Sequence, residues 1–175
     1  MNAHVFRGGN FFVLGLRHDF FEKNGCPVTD HPEDAALSVV NTCGFNASRS
    51  DQALRAIRVI LKRAPASPLV VCGCLTRIER DRVREALSDT PAYRMVGPAE
   101  HDEFDRILPS AATPFAEIPA NIYKDRYSSK DPRFGLFQVL VSTGCTGKCT
   151  YCVIRKAKGS VTSRPVGDIV REVQR

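Results

Sequence analysis

From Met1 to about residue 98, short apolar runs alternate with longer stretches whose apolar residues recur every three or four positions. That alternation is the pattern of βαβ units wound around a parallel sheet. "AHVF" (3–6) is a weak first strand, and "FFVLGLRHDFFEKNG" (11–25) reads as a helix closed by Gly25. "LSVVNT" (37–42) is a short buried strand with adjacent β-branched residues. The next helix, 48–63, carries Leu54, Ile57, Ile60 and Leu61 on one stripe, with Ser48 and Asp51 as a capping pair. "LVVC" (69–72) gives another strand. Thr76 and Glu79 form a capping box for a helix through Leu87 that buries Ile78, Val83, Ala86 and Leu87. "YRMVG" (93–97) and "EFDRIL" (103–108) complete the series as strand and short helix.

Between Leu108 and Gly135 the periodicity stops. This proline-bearing polar stretch reads as a linker with one strand near "FAEI". A second unit follows: a strand over 136–141, a cysteine loop over 142–152, a loop through Pro165 and a helix over 166–175. The expected division is therefore 1–108, an α/β domain; 109–134, a linker; and 135–175, a second unit. No solenoid-period repeat or low-complexity tract interrupts it.

Composition narrows the chemistry. The 175 residues are 43% hydrophobic and 25% charged, the profile of a soluble globular protein. No apolar run approaches the ~20 residues of a membrane span, and the N-terminus lacks the pattern of an export signal. A cytoplasmic, reducing setting with no membrane partner is the expectation. The formal charge of +6 permits nucleic acid as a partner, but the basic residues are dispersed as on solvated helix faces. Seven cysteines, an odd number, set no disulfide framework. They are to be read as metal ligands, reactive groups or small core residues.

Three of them, Cys145, Cys149 and Cys152 in "STGCTGKCTYC", sit between an apolar run and a helix, at the carboxyl end of a strand where α/β folds place chemistry. A structural zinc site takes four ligands. Three thiolates instead suit a cubane of four irons, leaving one iron open to an exogenous ligand. A zinc site completed by a distant residue, or loop thiols holding nothing, are the other readings of the spacing.

"GCTGKCTYC" resembles the CxxxCxxC motif of radical S-adenosylmethionine enzymes, with Tyr151 as the aromatic residue before the last cysteine. The downstream Lys158–Gly159, Ser163–Arg164–Pro165 and "DIVREV" are similar to the segment that follows this motif in methylthiotransferases. "VVNTCGFNASRS" and "VVCGCLTR" resemble the turns of that family's N-terminal domain. The resemblance implies a Rossmann-like parallel sheet followed by the first βα unit of a partial (β/α) radical barrel. It implies a 4Fe-4S cluster on Cys145, Cys149 and Cys152 that binds S-adenosylmethionine, with Tyr151 near the adenine and a reducing electron-transfer protein as partner. The cofactor supplies the radical chemistry, and the protein supplies orientation and exclusion of water. The substrate would be an adenosine of tRNA beside the anticodon or an aspartate of a ribosomal protein.

The family's N-terminal domain carries a second 4Fe-4S cluster on three cysteines. Cys43 and Cys74 match two of them, and Arg7 stands where the first belongs. Cys72 could substitute from the correct edge, although it ends a buried strand; Cys26 falls at the opposite edge of the sheet and is rejected. A partial barrel needs more than the stretch from Gly135 to Arg175, since one βα unit takes roughly 30 residues and a full barrel about 250. The expectation is a fragment, an interrupted frame or a subunit of a split enzyme, inactive by itself. The alternative is a non-catalytic α/β domain with a structural or regulatory iron–sulfur or zinc loop.

Overall fold

The computed structural model describes residues 1–6, 11–118 and 139–174, with the side chains of the first helix described from Arg17 onward. Five strands form one parallel sheet: β1 (Ala3–Phe6), β2 (Val28–Thr29), β3 (Leu37–Thr42), β4 (Leu69–Gly73) and β5 (Tyr93–Val96), in the order β2-β1-β3-β4-β5. The fold is the Rossmann-like α/β class expected from the alternation. The strand order changes direction between β1 and β3, so the crevice at their carboxyl ends is the natural ligand position.

Strand side chains alternate between two cores, as the period of two requires. Val39, Val70, Cys72 and Val96 face one side, where Phe20 and Phe21 of α1 (Phe11–Lys23) meet Phe104 of α5 (Glu103–Ile107). Val40, Leu69 and Val71 face the other, covered by Leu54, Ile57 and Ile60 of α2 (Ala47–Arg63). α1 ends as the sequence indicates: Gly25 adopts φ 71°, Cys26 N–H donates to the Phe21 carbonyl at 2.9 Å and Gly25 N–H to that of Glu22 at 3.1 Å. This is the Schellman pattern of bonds.

Local capping differs from expectation in two places. α2 is capped by Asn46, whose side chain accepts from Arg49 N–H at 3.0 Å, and not by Ser48 with Asp51. Asp51 pairs instead with Arg82 at 2.8 Å. Thr76 and Glu79 do not form a capping box. The Thr76 hydroxyl turns back to the Gly73 carbonyl at 2.8 Å, and the helix breaks at Glu79 (φ −129°, ψ 51°) into α3 (Leu75–Ile78) and α4 (Arg80–Ala86). Glu79 accepts from Ser50 at 2.7 Å and from Arg82, which draws it out of the helical path and holds its carboxyl below the usual range.

The segment after Leu108 is docked as far as it is described. Asn24 exchanges side-chain bonds with the Thr113 backbone at 2.8 and 3.0 Å, and Phe115 and Ile118 are buried in the aromatic core. Phe115–Glu117 is a 3-10 turn where a strand was expected. Of the strand expected over 136–141, residues 139–141 are not extended into a sheet, and 136–138 lie outside the described residues. The second unit is a small antiparallel pair, β6 (Ser142–Thr143) with β7 (Thr162–Ser163), enclosing α6 (Ile154–Lys158) and followed by α7 (Val166–Val173). α6 and β7 occupy what was read as a loop. No described helix is long and apolar enough to cross a membrane.

Candidate metal-thiol sites at one edge of the sheet

Cys43 and Cys74 follow β3 and β4 directly, so the sheet sets their positions. Thr42 and Gly73 are paired residues of those strands, and Cys74 N–H donates to the Thr42 carbonyl at 3.2 Å. Gly73 makes this approach possible. It holds φ 101°, and a Cβ there would stand 2.5 Å from the Thr42 carbonyl oxygen. The two thiols are therefore neighbours at the carboxyl edge, and each is partly exposed. Burial pushes the Cys74 thiol up, the Lys158 ammonium pulls it down, and Cys43 and Arg17 exert smaller opposing effects.

Arg17 is a feature of this edge that the sequence pattern did not single out. Its side chain is fully buried, Nη1 donates to Asn41 Oδ1, and the guanidinium lies 5.2 Å above the Phe104 ring. Nε and Nη2 have no hydrogen-bond partner. A cation inside a helical stripe gives no periodicity signal, because the pattern treats it as a break in the apolar face.

The remaining N-terminal thiols are placed as the sequence suggests. Cys72 is fully buried, and its thiol donates to the Val40 carbonyl at 3.3 Å. Burial raises it against ionisation, which opposes a ligand role. Cys26 is buried beside β2, at the amino edge where Ala3 N–H meets the Pro27 carbonyl at 3.0 Å. Arg7 lies outside the described residues.

The cysteine loop is built by its flanks. Cys145 N–H donates to the Gly159 carbonyl at 3.1 Å, and Gly144 adopts φ 92° with no room for a Cβ, which would stand 2.1 Å from the Ser160 carbonyl oxygen. Arg155 reaches the carbonyls of Thr146 and Gly147 at 3.3 and 3.4 Å, and Gly147 N–H points at the Cys145 sulfur at 3.3 Å. Arg164 closes the base, bonding the Leu140 carbonyl at 2.8 Å and Glu172 of α7 at 2.5 Å.

Cys145, Cys149 and Cys152 line one pocket of about 290 Å³ together with Gly147, Lys148, Arg155 and Lys156. Among the described residues no three His, Cys, Asp or Glu side chains come close enough together to hold a single metal ion. The thiols share a cavity without meeting at one point. Lys148, Arg155 and Lys156 place positive charge beside the three thiols. Tyr151 projects away from the fold with 87% of its surface exposed.

Residues 14–93 match the model of the uncharacterised protein family UPF0004. The chain is 35% identical over 158 residues to the ribosomal protein uS12 methylthiotransferase RimO of Xanthobacter autotrophicus, covering 86% of this chain and 32% of that protein. It is 31% identical over 170 residues to the RimO of Brucella canis, covering 93% and 35%. The RimO of Nitratiruptor sp. shares 26% over 148 residues, covering 84% and 33%. The UPF0004 match covers less than half of the chain. Over most of its length the chain is homologous to radical S-adenosylmethionine methylthiotransferases, as the motifs indicated. It spans about a third of the length of the curated relatives it matches.

Proposed function

We propose that the chain works in methylthio-group transfer, with Cys145, Cys149 and Cys152 as the ligands of a 4Fe-4S cluster and S-adenosylmethionine as its partner. The observation that carries this reading is the single pocket shared by the three thiols, on a chain similar to methylthiotransferases across that loop. When bound, the cluster supplies the one-electron chemistry that opens S-adenosylmethionine. The chain's own residues hold the loop: Gly144 permits its turn, and Arg155 ties the carbonyls of Thr146 and Gly147. Lys148, Arg155 and Lys156 provide positive charge toward an anionic group in the pocket. Tyr151 is free to lie against an adenine ring.

The relatives are named for ribosomal protein uS12, which favours a ribosomal-protein substrate over tRNA and a cytoplasmic site of action. A reducing electron-transfer protein completes the partner set. Residues 1–108 would form the UPF0004-type domain and 135–175 the cysteine-bearing unit that joins it. Anaerobic supply of iron and sulfide in competition with zinc tests the ligand assignment. Iron bound on the loop supports the reading; tight zinc with no iron supports a structural metal loop on a non-catalytic α/β domain.

A further inference from the structure

The edge site at Cys43 and Cys74 does not suit a cluster held by three thiolates. Each of the seven cysteines lies within the described residues. Cys72 is committed to the Val40 carbonyl inside the core, and Cys26 lies at the amino edge. No third ligand side chain joins the pair at a metal-binding distance among the described residues. What the sheet does bring together is a dithiol.

We infer that Cys43 and Cys74 form a reversible disulfide that clasps the carboxyl ends of β3 and β4. Paired residues of neighbouring strands lie ~4.8 Å apart, and the two cysteines leave the sheet from such a pair, within reach of the ~4.4–6.8 Å Cα separation that a disulfide spans. Thr42 and Gly73 are the last paired residues of β3 and β4, Cys74 N–H bonds the Thr42 carbonyl at 3.2 Å, and the residue just past each strand carries the thiol. Cys74 turns into the helical conformation (φ −65°, ψ −35°) directly after Gly73, and the Cys43 thiol is close enough for its charge to be felt there. Both thiols are partly exposed and reachable by a small oxidant, unlike Cys72.

The exchange balances with a low-molecular-weight disulfide as oxidant. One thiolate attacks a sulfur of oxidised glutathione and releases one glutathione thiol. The second cysteine then displaces the other glutathione, the S–S bond passes to Cys43–Cys74, and the two thiol protons end on the two released glutathione thiols.

The test is differential alkylation with peptide mass mapping of the whole chain, purified without metal and equilibrated in buffers of graded glutathione redox ratio. Peptides bearing Cys43 and Cys74 should lose alkylation together and appear as one cross-linked species, restored by dithiothreitol. In Cys74→Ser, Cys43 should instead carry a single glutathione. Separate glutathionylation of Cys43 and Cys74 in the unsubstituted chain, cross-links from either to another cysteine, or continued alkylation of both in the most oxidising buffer would overturn it. Reading the cross-link on the unsubstituted chain keeps the result free of any folding defect in the variant. It also leaves iron binding on the other loop as a separate outcome.

Discussion

Lys156 Nζ donates to the carbonyl of Ile78 at 2.8 Å, joining the helix that follows the cysteine loop to the helix that follows Cys74. Ala157 is buried beside it, and the charge of Lys158 is felt at Cys74. Both groups of thiols therefore stand at the carboxyl side of the parallel sheet. Lys158→Ala removes the leading influence that counters burial at Cys74, so its thiol should ionise at higher pH. Iodoacetamide labelling of Cys74 at about pH 8, followed by mass mapping, should be slower in the variant. Unchanged labelling would place Lys158 away from the thiol.

Two glycines carry the edge and the loop. Gly73 and Gly144 hold φ 101° and 92°, and a Cβ would meet a backbone carbonyl at 2.5 and 2.1 Å. Gly73→Ala should cost about 1–3 kcal/mol of unfolding free energy, read from urea denaturation. Gly144→Ala should leave that midpoint nearly unchanged and instead reduce metal uptake by the cysteine loop, because Gly144 touches Ser160 and not the sheet.

The capping of α2 separates two neighbouring residues. Asn46→Ala removes the side-chain acceptor of Arg49 N–H and should destabilise by about 0.5–2 kcal/mol, whereas Ser48→Ala should be close to neutral. Equal losses from both variants would restore the cap to Ser48.

His4 is buried with Nδ1 unpartnered; burial and then Arg63 lower its protonation tendency, against weaker opposition from Asp30 and Glu33. His101, stacked on Phe115 at 5.3 Å, is lowered by burial and then by Arg17. With the folded pKa below 6.5 for both, the unfolded chain takes up protons first as pH falls. Stability is then full above about pH 6.5 and lost progressively below it. Thermal melts between about pH 7.5 and 5.5 should show Tm falling, and His4→Gln should reduce the slope without abolishing it, since His101 remains.

The sheet was legible because its signals are local. Leu37–Thr42 and Leu69–Gly73 are short β-branched runs between amphipathic stretches, and Gly25 stops α1 through a conformation glycine adopts freely. The caps were not, because Ser48, Asp51, Thr76 and Glu79 all have capping chemistry and tertiary partners decide their roles. Asp51 and Glu79 are taken by Arg82, and Thr76 by Gly73. Phe115 reads as part of a strand at "FAEI" within the linker, since a lone aromatic carries no sign of what it packs against. It is held by Phe104 at 4.9 Å and by Asp105, whose carboxylate accepts from Phe115 N–H at 2.7 Å. The thiol groups could be read from spacing and strand ends. Arg17 could not, because its meaning comes from Phe104 and Asn41, distant in sequence.

The most direct measurement is electron paramagnetic resonance of the anaerobically reconstituted, reduced chain, with and without S-adenosylmethionine and alongside iron analysis. The expected result is about four irons per chain, a signal that shifts on adding S-adenosylmethionine, and loss of both in the Cys145→Ala, Cys149→Ala, Cys152→Ala triple variant. Iron that survives the triple substitution, or a signal indifferent to S-adenosylmethionine, would contradict it.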